Sequence, residues 1–154
     1  MHSLIKELND IRYLASLLNN VIKHTYQSKI YYKDIDQMGI VYYSRYFELF
    51  EAARTELLKS IGLEVTEIEE NGTMLPVISA HCNYKVGVKF EEILQIESTI
   101  KELPGSTLRI DYSVFSDRKR ILHADGYTIH AFTNTNGKAV RPPKFVRDRL
   151  MEAI

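Results

Sequence analysis

Two carboxylates and a glycine stand close together in "YYKDIDQMGIVYYSRYFELFEAARTELL", residues 31–58. Asp34 and Asp36 enter a turn, Gly39 punctuates it, and a helical pattern begins a few residues later. A helix N-terminus presents unpaired amide hydrogens and about half a positive charge, so it can hold a carbonyl oxygen that is becoming an oxyanion. One such donor is worth roughly 3 to 4 kcal/mol of transition-state stabilisation in well-studied sites. Gly39 lets the backbone turn tightly and lets a ligand approach closely. Asp34 and Asp36 share a side if the segment is extended and diverge if it coils. One of them could act on the carbonyl that the helix end polarises. The plainer alternative is capping, because an aspartate ahead of a helix commonly caps it or complements its dipole. The turn alone leaves both readings open.

Other reactive side chains are scattered. Arg54 falls in the centre of the helix's apolar stripe, where an unpaired charge is costly; Glu51, one turn earlier, or the turn carboxylates are its expected partners. His81 and His130 lie on strand-like segments and His123 near a hairpin, without the close His/Asp/Glu cluster that a metal site needs. They read as ordinary strand or surface histidines. Cys82 falls on an apolar row, as a buried structural thiol does. The run "DRKR", Asp117 to Arg120, reads as a solvated turn.

The elements around these residues follow from periodicity. Leu4, Leu8, Ile11, Ala15, Leu18 and Ile22 recur at helical spacing, so residues 3–22 form an amphipathic helix that must dock somewhere: on the domain body or a neighbouring subunit, the plainer reading, or at a membrane surface or targeting receptor. Residues 24–33 alternate as a strand. Ser44 is the expected N-cap of a long helix ending near Ile61 and Gly62. Tyr43, Tyr46, Phe47, Phe50, Ala53, Leu57 and Ile61 share one of its faces, and Leu49 and Ala52 fill much of the other. So broad an apolar surface predicts a helix wrapped on several sides. The period then changes to two. Met74, Ile78, Ala80, Cys82 and Tyr84 make one row, Leu94, Ile96 and Ile100 a second, and Leu108, Ile110, Tyr112 and Val114 a third. A further strand covers 120–134, the connecting turns suit antiparallel hairpins, and "KFVRDRLMEAI" reads as a terminal helix. The fold class is therefore α+β: a curved antiparallel sheet wrapped around one long central helix, with an extra N-terminal helix. One sheet face left uncovered by the chain itself calls for pairing with another subunit.

At 154 residues the chain suits one domain, divided here into an N-terminal helical extension, 1–22, and a main domain, 23–154. Hydrophobic residues at 45% and charged residues at 26% mark a folded domain rather than a disordered one. Lys plus Arg equals Asp plus Glu at 20 each, so no global field recruits nucleic acid or an anionic membrane, and any anionic ligand needs a local patch. No apolar run approaches the roughly 18 to 20 residues of a membrane span. Lys6, Glu7, Asp10 and Arg12 break up what would be the core of a secretory signal. The single cysteine suits a reducing compartment, and the expected location is cytoplasmic.

The stretch "DIDQMGIVYYSRYFELFEAARTELLKSIG" resembles the signature of the hotdog-fold acyl-CoA thioesterases of the 4-hydroxybenzoyl-CoA thioesterase type. That family carries an Asp, two variable residues, Gly, a hydrophobic pair and an aromatic, then a helix with Phe-Glu-x-Ala-Arg-Thr-Glu. The matching positions are Asp36, Gly39, Ile40, Val41, Tyr42, Tyr46, Phe50, Glu51, Ala53, Arg54, Thr55 and Glu56. "LPVISAHCNYKVGVKFEEILQIES" and "GYTIHAFTNTNGKAVRPP" look like its later strands, so the resemblance covers residues 24–145. Some relatives, the Tol-Pal-associated branch among them, place a His after the Val-Tyr pair; this chain has Tyr43. The family's Pro-Ala and Gly-Asp of the second hairpin are replaced around Gly87, Val88, Glu91 and Glu92.

The resemblance implies an acyl-CoA thioesterase that uses no cofactor and no metal, coenzyme A being part of the substrate. It makes Asp36 the nucleophile or general base and puts the oxyanion on backbone amide at the helix start, near Tyr43, with Gly39 giving clearance. Glu51 is the rival acid, because another hotdog branch carries its carboxylate on this helix, and Arg54 is secondary. Lys85, Lys89, Arg118, Lys119 and Arg120 are candidates for the CoA phosphates. Pantetheine would thread between subunits of a homodimer, and such dimers commonly pair into homotetramers. A hydratase or dehydratase of this fold would need a site histidine, and none occurs between residues 25 and 80. A non-catalytic acyl-CoA sensor is the other alternative; a helix-turn-helix is not supported.

Overall fold

The computed structural model describes residues 1–17, 21–118 and 120–154, so Leu18 and Lys119 lie outside the described residues. The elements are α1 (His2–Leu17), β1 (Ile22–Lys29), α2 (Arg45–Ser60), α3 (Val65–Glu70), β2 (Val77–Tyr84), β3 (Ile93–Ile100), β4 (Thr107–Ser116), β5 (Leu122–Ala131) and α4 (Lys144–Glu152). The strands form one five-stranded sheet in the order β1-β3-β4-β5-β2, and every neighbouring pair is antiparallel. In β3 and β4 the apolar residues of the alternating pattern are the buried ones, which fixes the register, because a slip by one residue would turn the whole set to solvent.

Helix α2 covers the buried face. Its buried residues, Tyr46, Leu49, Phe50, Ala53, Leu57 and Leu58, follow helical spacing. Phe50 stacks on Tyr112 of β4 with ring centroids 4.3 Å apart. The neighbouring strand has to be glycine where the helix comes closest: a Cβ on Gly126 would lie 3.0 Å from Phe50 and 2.1 Å from the His81 carbonyl oxygen of β2. Val146 and Leu150 of α4 complete the core.

Several boundaries differ from the sequence expectation. Helix α1 is described over His2–Leu17, and Ile22 opens β1 instead of closing the helical stripe, because Ile22 pairs with Ile100 in the ladder. On the described part of α1, Leu4 is 62% exposed and Ile5 53%, while Leu8 is half-buried. Strand β1 ends at Lys29, short of residue 33, because Tyr32–Asp34 coils into a 3-10 turn. Tyr43 precedes α2 and is exposed, and Phe47 faces outward, while Leu49, assigned to the opposite side, is buried. The first sheet row is also uncovered: Ile78 is 57% exposed and Tyr84 49%. Strand β2 is a sheet edge that α2 meets only in part, through Tyr46 against Tyr84. The short helix α3 has no counterpart in the sequence reading. No helix among the described residues is long and apolar enough to cross a membrane.

Candidate active site

The Asp36 turn is closed by its own backbone. Asp36 N–H donates to the Ile40 carbonyl at 2.8 Å, and Gly39 N–H donates to the Asp36 carbonyl at 3.0 Å. Gly39 adopts φ +77, a left-handed conformation that costs other residues about 1 to 2 kcal/mol. The Asp36 carboxylate is held by one oxygen. Oδ1 accepts Met38 N–H at 2.8 Å, with Ile40 N–H further off at 3.4 Å. Oδ2 meets no donor among the described residues, and the side chain is only half-buried.

Asp34 has the opposite fate. It is 3% exposed, and Oδ2 accepts Tyr31 N–H at 2.9 Å, which draws the chain into the 3-10 turn. Arg45 Nη2 lies 2.8 Å from Oδ1 as an ion-pair contact, and Arg45 also pairs with Glu48 on the helix surface. The coiled segment thus sends the two aspartates apart. From the far side, Val41 N–H donates to the Val88 carbonyl at 2.8 Å and Ile40 bridges Lys89, so residues 88–89 cradle the turn.

The opening of α2 is left unfilled. Ser44 occupies the N-cap position but makes no side-chain cap, because its own backbone (φ −72, ψ −22) is already helical. Arg45 N–H donates to the Tyr42 carbonyl at 3.0 Å, which extends the turn back by one step. Tyr43 and Ser44 therefore sit in the first turn, and among the described residues neither of their N–H groups has an acceptor. Such a pair of amides can take an oxyanion. The aromatic rings of Tyr42 and Tyr43, with centroids 6.2 Å apart, are exposed around it.

Arg54 does not pair with Glu51 or with the turn carboxylates. Glu51 is exposed, and Arg54 reaches inward to the hydroxyl of Tyr112. A chain of hydrogen bonds continues from there. Tyr112 Oη is 2.7 Å from Thr128 Oγ1, Thr128 Oγ1 is 2.8 Å from His130 Nε2, and His130 Nδ1 is 3.2 Å from the Leu75 carbonyl oxygen. Arg54 can only donate and the Leu75 carbonyl can only accept, so one direction satisfies every member: Tyr112 to Thr128, Thr128 to His130 Nε2, and His130 Nδ1–H to Leu75. That order needs a neutral imidazole. Burial and the Arg54 charge push His130 down to about 4, and burial raises the Tyr112 phenol. Sequence reasoning missed this network, because its members come from α2, β4, β5 and the loop before β2, far apart in the chain.

The remaining candidates are structural. His123 is buried and its Nδ1–H donates to the Val86 carbonyl at 2.9 Å, so it is a core residue rather than a surface one. His81 is exposed beside Asn83. Burial raises the Cys82 thiol to about 11, which keeps it protonated at neutral pH and unreactive. Ladder register brings Lys85, Lys89 and Arg118 to one end of the sheet, the end that carries the Asp36 turn: Lys29 pairs with Ile93, Leu94 with Ser116 and Tyr84 with Ala124. There Lys85 lies 3.8 Å from Asp125, Lys89 borders Ile40 and Arg118 is exposed. Arg120 lies on the sheet, 3.2 Å from Glu97 and 4.3 Å over the Phe115 ring. A separate groove of about 680 Å3, between α1, the turn after β3 and α4, contains none of these residues.

Comparison with known proteins gives a consistent set. Residues 31–150 match the family described as the thioesterase-like superfamily. A putative esterase of Aquifex aeolicus is 30% identical over 127 residues, covering 82% of this chain and 97% of its own. The 4-hydroxybenzoyl-CoA thioesterase of Pseudomonas sp. strain CBS-3 is 26% identical over 125 residues, covering 76% and 87%. Among solved structures, the hypothetical protein TT1821 from Thermus thermophilus superposes with a TM-score of 0.78 at 28% identity, covering 84% of this chain and 98% of that one.

Proposed function

The chain belongs to the thioesterase-like superfamily, and on that premise we propose that it is an acyl-CoA thioesterase whose working acid is Asp36 and whose oxyanion site is the start of α2. The observation that carries this reading is the pairing of a carboxylate with one free oxygen and a helix opening with two unclaimed amides, a few residues apart on one rigid turn. The thioester carbonyl docks on the Tyr43 and Ser44 amides, and Gly39 leaves room beside it.

Asp36 Oδ2 then acts in one of two ways. As a general base it takes a proton from water while the water oxygen adds to the carbonyl carbon. As a nucleophile it adds directly, giving an acyl-aspartate anhydride that water opens. In both routes the negative charge gathers on the carbonyl oxygen, where amides stabilise it, and collapse expels the CoA thiolate, a leaving group that needs no strong general acid. The acyl groups proposed are aromatic or short to medium aliphatic ones. Lys85, Lys89 and Arg118 are proposed for the CoA phosphates, since basic side chains suit them.

The proposed assembly is a cytoplasmic homodimer pairing into a homotetramer. It is supported by β2, an edge strand with Val77 49% and Ile78 57% exposed, since an uncovered edge is a template for a second copy. The test is thiol release from a panel of aliphatic and aromatic acyl-CoAs by wild type and Asp36→Asn. Wild type releases thiol and the variant loses at least about a hundredfold in kcat, the scale of a lost acid–base group. Equal rates would remove Asp36 from the reaction. In a single turnover in 18O-water, label found in Asp36 marks the nucleophilic route, because it enters there only when water opens the anhydride at the Asp36 carboxyl carbon.

A further inference from the structure

Tyr84 ends the edge strand β2, yet its hydroxyl donates to the carbonyl of Tyr43 at 2.8 Å, across 41 residues of sequence. The ring that carries this hydroxyl is held by one aromatic contact and by the strand below it. It packs edge-on against Tyr46 of α2, with centroids 5.1 Å apart at 76°, and its backbone pairs with Ala124 of β5. Just beyond it, Lys85 and Val86 N–H both donate to the His123 carbonyl, at 2.9 and 3.1 Å. The hydroxyl is therefore delivered by the sheet to one chosen point on the loop before α2.

That point is chemically specific. The carbonyl of Tyr43 and the N–H of Ser44 belong to one planar trans peptide and point in opposite directions. A donor that pins the carbonyl from one side fixes the direction of the Ser44 N–H on the other. It also polarises that N–H, a cooperative effect of roughly 10–30% per bond. The Ser44 side chain supplies no cap to hold the peptide instead. We propose that Tyr84 is a positioning residue for thioester hydrolysis: its hydroxyl holds the Tyr43–Ser44 peptide so that the open amides of the helix start meet the developing oxyanion.

The proposal rests on the reading of that helix start as the oxyanion site, and its test keeps the two apart. Wild type, Tyr84→Phe, Tyr46→Phe and Asp36→Asn are compared in steady state on the best acyl-CoA of the panel, with urea unfolding measured alongside. Tyr84→Phe keeps the ring packing and loses only the hydroxyl. It lowers kcat about tenfold, a part of the 10²–10³ lost with a whole donor, while KM stays within about twofold because ground-state binding does not use the oxyanion contact. The unfolding midpoint stays at the wild-type value. Tyr46→Phe alters the same aromatic cluster without touching the Tyr43 carbonyl and keeps the wild-type kcat. Wild-type kcat in Tyr84→Phe, or an equal fall in Tyr46→Phe, overturns the role of the hydroxyl, as does a loss confined to KM or to stability. When Asp36→Asn is inactive, such a result strikes Tyr84 alone; when Asp36→Asn is fully active, the site reading falls and takes the proposal with it.

Discussion

Acid should destabilise this fold through His130 over a definite pH window. The imidazole is fully buried, and burial together with the Arg54 charge lowers its pKa from 6.5 to about 4. Unfolded, it titrates at the ordinary value. Between those two values the unfolded chain binds a proton that the folded chain refuses, so stability falls as pH drops, by about 1.4 kcal/mol per unit. From pH 7 to 4.5 the contribution sums to about 2 to 3 kcal/mol, a substantial part of the roughly 5 to 15 kcal/mol that holds a domain together.

Carboxylates titrate in the lower half of the same window, so the measurement has to be a difference. Urea unfolding of wild type and His130→Gln is followed at pH 7, 6, 5 and 4.5 at one protein concentration, since assembly would couple concentration to stability. Glutamine does not titrate and keeps a donor and an acceptor in the chain. The variant starts less stable at pH 7, and the gap narrows by about 2 to 3 kcal/mol on reaching pH 4.5. If the two curves fall in parallel, His130 does not carry the dependence, and the assignment of a neutral imidazole beside Arg54 is wrong.

Two further outcomes test the frame around the site. Asp34→Asn removes the buried charge that faces Arg45 while keeping the shape, and should cost about 1 to 3 kcal/mol in urea unfolding; a change below about 0.5 kcal/mol, the range of ordinary surface substitutions, would show that the pair does not anchor the turn. Gly126→Ala places a methyl 2.1 Å from the His81 carbonyl oxygen, so β2 must pull away from β5 at a cost of about 3 kcal/mol; a wild-type unfolding midpoint would contradict this close approach.

What could be read from the sequence is what the chain does with near neighbours. The Asp36 turn, the positive φ of Gly39 and the helix after it are made by contacts within a few residues, and their residue types announce them. Alternation likewise gave β3 and β4, because both are central strands with one face under α2. The same alternation misled at β2. It reports sidedness but not what covers a side, and Ile78 and Tyr84 are exposed because the strand is an edge. Arg54 shows the limit most clearly. Helical spacing offers Glu51 as its partner, but the side chain turns toward Tyr112 on a strand almost 60 residues later, a choice that only packing decides.

On the proposed reading, the two aspartates of the turn have separate tasks. Asp34 pairs with Arg45 in the buried part of the loop, while the backbone of the turn claims one oxygen of Asp36. The same residue, Arg45, is the first of α2, so the ion pair with Asp34 also ties the loop to the helix whose open amides are the proposed oxyanion site. Replacing Asp34 by a neutral residue therefore loosens that tie, and any loss of kcat in Asp34→Asn should come with a loss of stability, whereas in Asp36→Asn it should come without one.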